Sequence, residues 1–306
     1  TLFRSLITSI KKQMKQQQKI RLYQSRDFSG IFDTSIAFIK QNYGAILKGI
    51  LVFIPIVLIA TYLLMNLLSF SNMNMTSIGQ YEDDPFAILR SIFDWRFFLG
   101  IFIMMVAGYL MSLYPMCYMA LYAESKDGRV DSKDVWTKVK QVALPLFGYS
   151  IIFGILTSAG LILCLIPGLI ISVYLSLYFY TYIVEKKGLV ETFQRSIDLV
   201  RHHWWISLGL LIVFYIIVSV IGFVFTLPVY GTMIGNLLGI DFLTSEIYIY
   251  LTYSLSYTAR MLLSPILIIV LGVMYFSYRS QLDGIGVTDE IDMIGVNKEE
   301  DQPTQY

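Results

Sequence analysis

Both histidines of the chain stand side by side, His202 and His203, and Trp204 and Trp205 follow them directly. Imidazoles bind metals, carry protons and sense pH near neutrality. A zinc site would need further His, Cys or carboxylate ligands at helical spacing, and Asp198, four residues before His202, is one such neighbour. Adjacent residues on a helix diverge by about 100°, however, so the two rings cannot easily share one ion. The tryptophans point elsewhere. An indole ring is apolar with one N–H that seeks water, and it collects at membrane–water boundaries. His202, His203, Trp204 and Trp205 are therefore expected to anchor the place where a surface helix turns into an apolar run.

The rest of the chain offers little reactive chemistry. Cys117 and Cys164 lie in separate apolar runs without a CxxC neighbour, so neither a disulfide framework nor a thiolate metal site is expected. Charged residues inside a bilayer are costly and are functional suspects. Lys48 sits one turn inside an apolar run, close enough to its end to reach water along its own stem. Arg260 lies deeper, in IYIYLTYSLSYTARMLLSPILIIVLGVMYF. If that run is one helix, Arg260 falls within the outer half of the membrane. If Glu246 to Tyr257 lies along the surface, it marks the headgroup level, within reach of lipid phosphate or of outer-loop carboxylates such as Asp241 or Glu246; this second placement is the expected one. The chain has no glycine-rich phosphate loop and no triad-like arrangement of Ser, His and Asp. No enzymatic activity, cofactor or resident metal is expected.

The elements that must position these residues are apolar. Hydrophobic residues make up 56% of the 306 residues and charged ones 15%, where soluble domains carry about a quarter charged. The net charge of +1 gives no sign of nucleic acid. Six runs long enough to cross a hydrocarbon core of roughly 30 Å are legible, at 44–70, 98–122, 143–166, 168–184, 205–230 and 249–278. The prediction is an all-α integral membrane protein, since lipid demands that each spanning backbone satisfy itself. Lys and Arg crowd the segments before the first run, between the second and third, and between the fourth and fifth; this bias sets both termini on the cytoplasmic side. No N-terminal signal peptide is expected. Pro167-Gly168 predicts a tight outer turn between the third and fourth spans. Pro55, Pro115, Pro145, Pro228 and Pro265 predict kinks.

Three segments precede spans in a similar way. They are DFSGIFDTSIAFIKQNY at 27–43, DSKDVWTKVKQ at 131–141, and the stretch from Leu189 to His202. Apolar residues share one face in each: Phe28, Ile31, Phe32, Ser35 and Ile39 in the first, Val135, Trp136 and Val139 in the second, and Leu189, Phe193, Ile197 and Val200 in the third. A glycine follows the last aliphatic residue of each face, Ile39, Val139 and Val200, by nine or ten positions, at Gly49, Gly148 and Gly209. The reading is three modules, each an amphipathic interfacial helix followed by a membrane hairpin. A basic arm at 1–25 and an acidic tail at 280–306 flank a membrane domain at 26–279. The arm forms either a lipid-binding amphipathic helix or a solvated end, and the tail either a docking peptide or a solvated end.

Several motifs also resemble a known family. The Pro167-Gly168 turn, the pair Val184-Glu185 ending a span, Arg195-Ser196 on the following helix and the tryptophan exit are similar to the six-helix membrane domain that some bacteria fuse ahead of a glycerophosphodiester phosphodiesterase domain. Arg26-Asp27-Phe28-Ser29-Gly30-Ile31 through Asn42-Tyr43, Tyr275-Phe276-Ser277-Tyr278 and Asp289-Glu290-Ile291-Asp292-Met293-Ile294-Gly295 resemble stand-alone members of that family. The resemblance implies a fold. No phosphodiesterase domain is expected here, so it leaves the activity open. Stand-alone relatives are encoded near MoxR-like ATPases and von Willebrand A-type membrane proteins, which implies a membrane complex. The expected function is a scaffold or subunit of such a complex in the bacterial cytoplasmic membrane, with lipids and a protein as partners. The alternative is a transporter or channel for a lipid-like or amphiphilic solute.

Overall fold

A computed structural model describes residues 19–67 and 95–285. Residues 1–18, 68–94 and 286–306, which include most of the predicted arm, the connection around Gly79 and the acidic tail, lie outside the described residues. The described chain is helical, in the order α1 Phe28–Ile50, a short 3-10 turn Leu51–Phe53, α2 Ile54–Leu67, α3 Trp95–Glu124, α4 Ser132–Leu163, α5 Leu165–Tyr174, α6 Tyr178–Glu185, α7 Leu189–Arg201, α8 Trp204–Leu238, α9 Asp241–Thr244 and α10 Glu246–Asp283. Six helical stretches are long and apolar enough to cross a membrane: Phe28–Leu64, Phe98–Glu124, Ser132–Ile162, Leu165–Glu185, Trp204–Leu238 and Glu246–Asp283. Their number and order match the six predicted runs.

Helix starts follow local chemistry. Asp27 closes the N-terminus of α1: its Oδ1 accepts the Gly30 N–H at 2.8 Å, and its carbonyl accepts the Ile31 N–H. Asp131 does the same for α4, accepting the Lys133 N–H at 3.0 Å. A short side-chain acceptor satisfies one of the donors that a first turn leaves unpaired. The third predicted segment begins on Gly188, which makes no side-chain cap.

The first two segments predicted as separate surface helices are continuous with their spans. Residues 27–43 run into α1 to Ile50, and 131–141 open α4. Only the third stands alone, because the chain turns at His202-His203 between α7 and α8. The buried face of α1 is Ile31, Ser35, Phe38, Asn42 and Ile46, which keeps two of the predicted residues and shifts the stripe toward the span. Val135 and Val139, from the second predicted face, are buried within the protein. On α7 the packed face holds Thr192, Ser196, Leu199 and Val200, while Ile197 is exposed. The three module glycines meet different surroundings. A Cβ at Gly49 would lie 1.9 Å from the Tyr114 ring, one at Gly209 would touch Phe28 at 3.3 Å, and one at Gly148 would meet nothing within 4 Å.

The turn between the third and fourth spans falls at Cys164, three residues earlier than Pro167-Gly168 suggests. Pro167 sits inside the first turn of α5, where a backbone N–H has no intrahelical acceptor and its loss costs little. Gly168 lies against α4: a Cβ there would stand 2.5 Å from Leu161 Cγ and 2.6 Å from its backbone nitrogen. Pro115, Pro145, Pro228 and Pro265 lie within continuous helices, and Pro55 stands in the first turn of α2, just after the 3-10 turn Leu51–Phe53. The fourth span breaks at Leu175–Leu177, without a proline, and divides into α5 and α6.

The chain forms two compact units. Residues 44–115 and 212–268 make one. There, side chains of α10 support α2 and α8: Tyr250 Oη donates to Leu58 O at 3.3 Å, Tyr248 Oη to Pro228 O at 2.8 Å and Ser256 Oγ to Phe225 O at 2.8 Å. The other unit holds 1–43, 116–211 and 269–306. Its interior is rich in tyrosine. Tyr114 aside, the fully buried tyrosines Tyr122, Tyr178, Tyr180, Tyr275 and Tyr278 all belong to it. Buried phenols want partners, and these find them: Tyr178 donates to Ser150 Oγ at 3.1 Å, Tyr180 to Met119 Sδ at 3.3 Å, and Tyr278 shares a hydrogen with Ser207 at 3.0 Å.

Candidate functional site

The second of these units contains a cluster of charged side chains. Its centre is Glu185, the last residue of α6, whose side chain is 7% exposed. A carboxylate so enclosed needs donors around it. Arg195 Nε approaches its two oxygens at 3.2 and 3.3 Å, Lys187 Nζ reaches Oε2 at 2.9 Å, and Tyr275 Oη donates to Oε1 at 2.9 Å. Arg195 turns its other arm to Asp283, with Nη2 at 2.6 and 2.5 Å from the two oxygens. Arg279 completes the set. Its Nε lies 3.3 Å from Asp283 Oδ2 and 3.7 Å from Glu185 Oε1. Three cations against two carboxylates leave the cluster one positive charge in excess.

Local structure explains the placement. Tyr275, Arg279 and Asp283 recur every fourth residue near the end of α10 and so share a face. Arg195 lies on the packed face of α7, beside Ser196. That serine is fully buried, and its Oγ donates at 2.8 Å to Tyr174 O. Tyr174 ends α5, so the broken fourth span and the α7 face stabilise each other: the break exposes a carbonyl and Ser196 caps it. Burial works against the Arg195 charge, yet its hydrogen bonds to Asp283 and the charge of Glu185 outweigh this and hold the guanidinium more firmly protonated than usual.

A strap from the N-terminal side crosses the same unit. Lys19 Nζ donates to Ala123 O at 3.1 Å and to Ser125 O at 2.5 Å, covering the C-terminal carbonyls of α3. Burial lowers the pKa of this amine. The Ile20 N–H donates to Tyr122 Oη at 2.9 Å, and Leu22 is buried. Tyr23 accepts from Arg279 Nη1 at 3.2 Å and packs edge-on against Phe276 at 4.9 Å. The Arg26 N–H donates to Ser277 Oγ at 3.1 Å. Residues 19–25, read from sequence as part of the arm, are thus seated against the tyrosine core, and α10 carries the fold four residues past the predicted boundary at 279.

The sequence-predicted residues divide cleanly. Glu185, Arg195 and Ser196 come together. His203 joins them at the edge: its Nε2 donates to Gln281 Oε1 at 2.9 Å, while Gln281 Nε2 holds Arg26 O at 3.1 Å, and its ring stacks on Tyr278 at 4.4 Å. His202 is exposed. Among the described residues no group of three His, Cys, Asp or Glu is placed to hold a metal ion. Trp204 and Trp205 meet edge to face at 4.6 Å, and Trp205 is 79% exposed. Lys48 and Arg260 lie in the other unit, both exposed. Arg260 Nη2 reaches Thr226 Oγ1 at 3.3 Å. It does not mark the end of a surface segment, because α10 is one helix from Glu246 onward. Glu246, proposed as its partner, begins that helix roughly 21 Å away along the axis.

Sequence reading missed Arg279, Asp283, Lys187, Tyr275 and Tyr23 as members of this cluster. The Tyr275–Arg279–Asp283 spacing was the available signal. Thus fold and cluster define an all-helical chain with six membrane-length helices, braced at one unit by an ionic network. Residues 97–277 match DUF7847, a domain of unknown function, and the chain belongs to that family. No curated protein and no solved structure matches it.

Proposed function

We propose that this chain is a non-enzymatic, multi-pass protein of the bacterial cytoplasmic membrane, both termini cytoplasmic, that serves as a scaffold or subunit of a membrane complex. The observation that carries the reading is the ionic cluster. Its charges are committed to one another, and they fasten the strap, α6, α7 and the end of α10 into one fixed surface. A reactive site needs a group left available to substrate; a presenting surface needs rigidity. The Lys and Arg bias of the sequence supports a cytoplasmic position for this surface. The match to a domain of unknown function leaves the activity open and shows no link to the membrane domain of glycerophosphodiester phosphodiesterases that the motifs resemble. Isolation of the chain from native membranes in a mild detergent tests the proposal. The expected result is a membrane partner at fixed stoichiometry, released by Glu185→Ala but retained by Lys48→Ala. A chain that elutes alone at native abundance overturns it.

A second reading, a transporter or channel for an amphiphilic solute, draws on α10. The hydroxyls of Ser254 and Thr258, one helical turn apart, are buried with no hydrogen-bond partner among the described residues, and Arg260 follows directly. Solute flux into proteoliposomes that is lost in Arg260→Ala would favour this reading over the scaffold.

A further inference from the structure

Glu185, Lys186 and Lys187 are consecutive, yet only the outer two join the ionic cluster. Lys186 stands in the left-handed region, φ 52° and ψ 37°, and its N–H closes α6 on Tyr182 O at 2.9 Å. Among the described residues it is the only one besides glycine with positive φ. Glycine is the usual occupant of this position because a side chain there is strained. Lys186 lines a separate groove of about 240 Å³. Lys138, Thr137 and Gln141 from the first turns of α4 line the groove with it, and Leu121 and Val142 form an apolar floor. Lys138 is paired with Glu124 at 3.0 Å, and that carboxylate is 60% exposed, so the pair is a weak, solvent-screened one. Asp134 is the acidic residue of the lining.

We propose that this groove binds the phosphate of an anionic lipid headgroup, with Lys186 and Lys138 as the cationic contacts. The composition favours this class of ligand: two amines and two polar side chains stand over apolar carbon, which suits a charged group attached to an acyl chain. Position agrees. The groove lies where the ends of α3 and α6 meet the start of α4, beside the junction between charged and apolar sequence at residues 138–143. A strained backbone kept at a ligand-facing residue is a mark of function rather than of stability. The inference rests on the membrane residence proposed above.

The strain supplies the test. Lys186→Gly removes the amine and relieves the backbone, so a structural role and a binding role predict opposite changes. The full chain, purified in detergent, is offered phosphatidylglycerol or phosphatidylcholine at equal concentration, and retained lipid is counted by native mass spectrometry. The expected result is one phosphatidylglycerol held in preference to phosphatidylcholine. Lys186→Gly should weaken that retention about fivefold, the effect of one lysine near an anionic surface, with an unchanged or higher melting temperature. Lys138→Gln should weaken it similarly, while Lys186→Arg and the distant Lys126→Gln should retain it. Equal retention of the two lipids, or no loss in Lys186→Gly, overturns the proposal. So does displacement by equimolar inorganic phosphate, which indicates a free-anion site, or by polyglutamate, which indicates an acidic protein partner. Alkaline carbonate washing separates the two levels: a chain washed from membranes overturns membrane residence itself, whereas a retained chain with an inert Lys186→Gly overturns only the lipid site.

Discussion

At the scale of single residues, Glu185 is the position on which the cluster depends. Removing its carboxylate takes the acceptor from Arg195 Nε and from the buried Tyr275 phenol. Arg195 keeps Asp283 and Lys187 can turn to water, so the cost lies toward the low end of the about 3–5 kcal/mol for breaking a buried pair from one side. Glu185→Ala should therefore lower thermal stability strongly, and Arg195→Ala should do the same. A double-mutant cycle in detergent should give a coupling of roughly 1–3 kcal/mol between them; simple additivity would show that the contact carries no shared energy. Asp27 offers a pH test at the other end of the scale. Hydrogen bonds from the Gly30 N–H and from Ser29 lower its pKa. Its contribution is then present above the ordinary aspartate value of about 3.9 and lost as pH falls through the lowered one. Amide exchange at Gly30 should be slow near neutrality and accelerate only in strong acid, and Asp27→Ala should make it fast at every pH. Glu185, Arg195 and Ser196 were legible in the sequence only through resemblance to a family. Their partners were not, because a hydrogen bond such as Arg195 to Asp283 joins positions 88 apart and no local pattern records it.

At the scale of elements, apolar length was enough to read six helices, while of their interruptions only the Leu51–Phe53 turn lies beside a proline, Pro55, and the one at Leu175–Leu177 does not. Proline marks where a helix loses a donor, but in apolar surroundings neighbouring groups take up the freed carbonyls and the helix continues. The Tyr174 carbonyl beside the break at Leu175–Leu177 is taken by Ser196 on another helix, and no window around residue 175 records that bond. The α4–α5 hairpin depends similarly on contact. A Cβ at Gly168 meets backbone as well as side chain of Leu161, and backbone cannot swing aside. Gly168→Ala should therefore destabilise the protein by about 1–3 kcal/mol, whereas Gly148→Ala should be close to neutral. Thermal unfolding of the two variants side by side decides this; equal effects would remove the hairpin contact as the reason for glycine at 168.

At the scale of the whole chain, the orientation reading can be tested without mutation. Cys117 is buried and Cys164, at the α4–α5 turn, is exposed. With both termini cytoplasmic, that turn faces outward, and a membrane-impermeant maleimide should label intact spheroplasts once, at Cys164. A cysteine introduced at Gly79 should label from the same side and one in the 124–134 loop only after lysis. Labelling in the reverse order would invert every inside and outside assignment.

The seat of the N-terminal strap has a consequence for synthesis. Lys19 and Ile20 find their partners at residues 122–125 early, but Arg26 and Ser277 are 251 residues apart, so the Tyr23–Arg26 end of the strap has nowhere to dock until α10 has been made. At about 5–20 residues per second, its wait is roughly 13–50 s. During that interval Tyr23 and Arg26 are available to proteases and chaperones, and a chain arrested before α10 keeps them so. The strap thus acts as a completion mark: its burial reports that the ribosome has reached the end of α10.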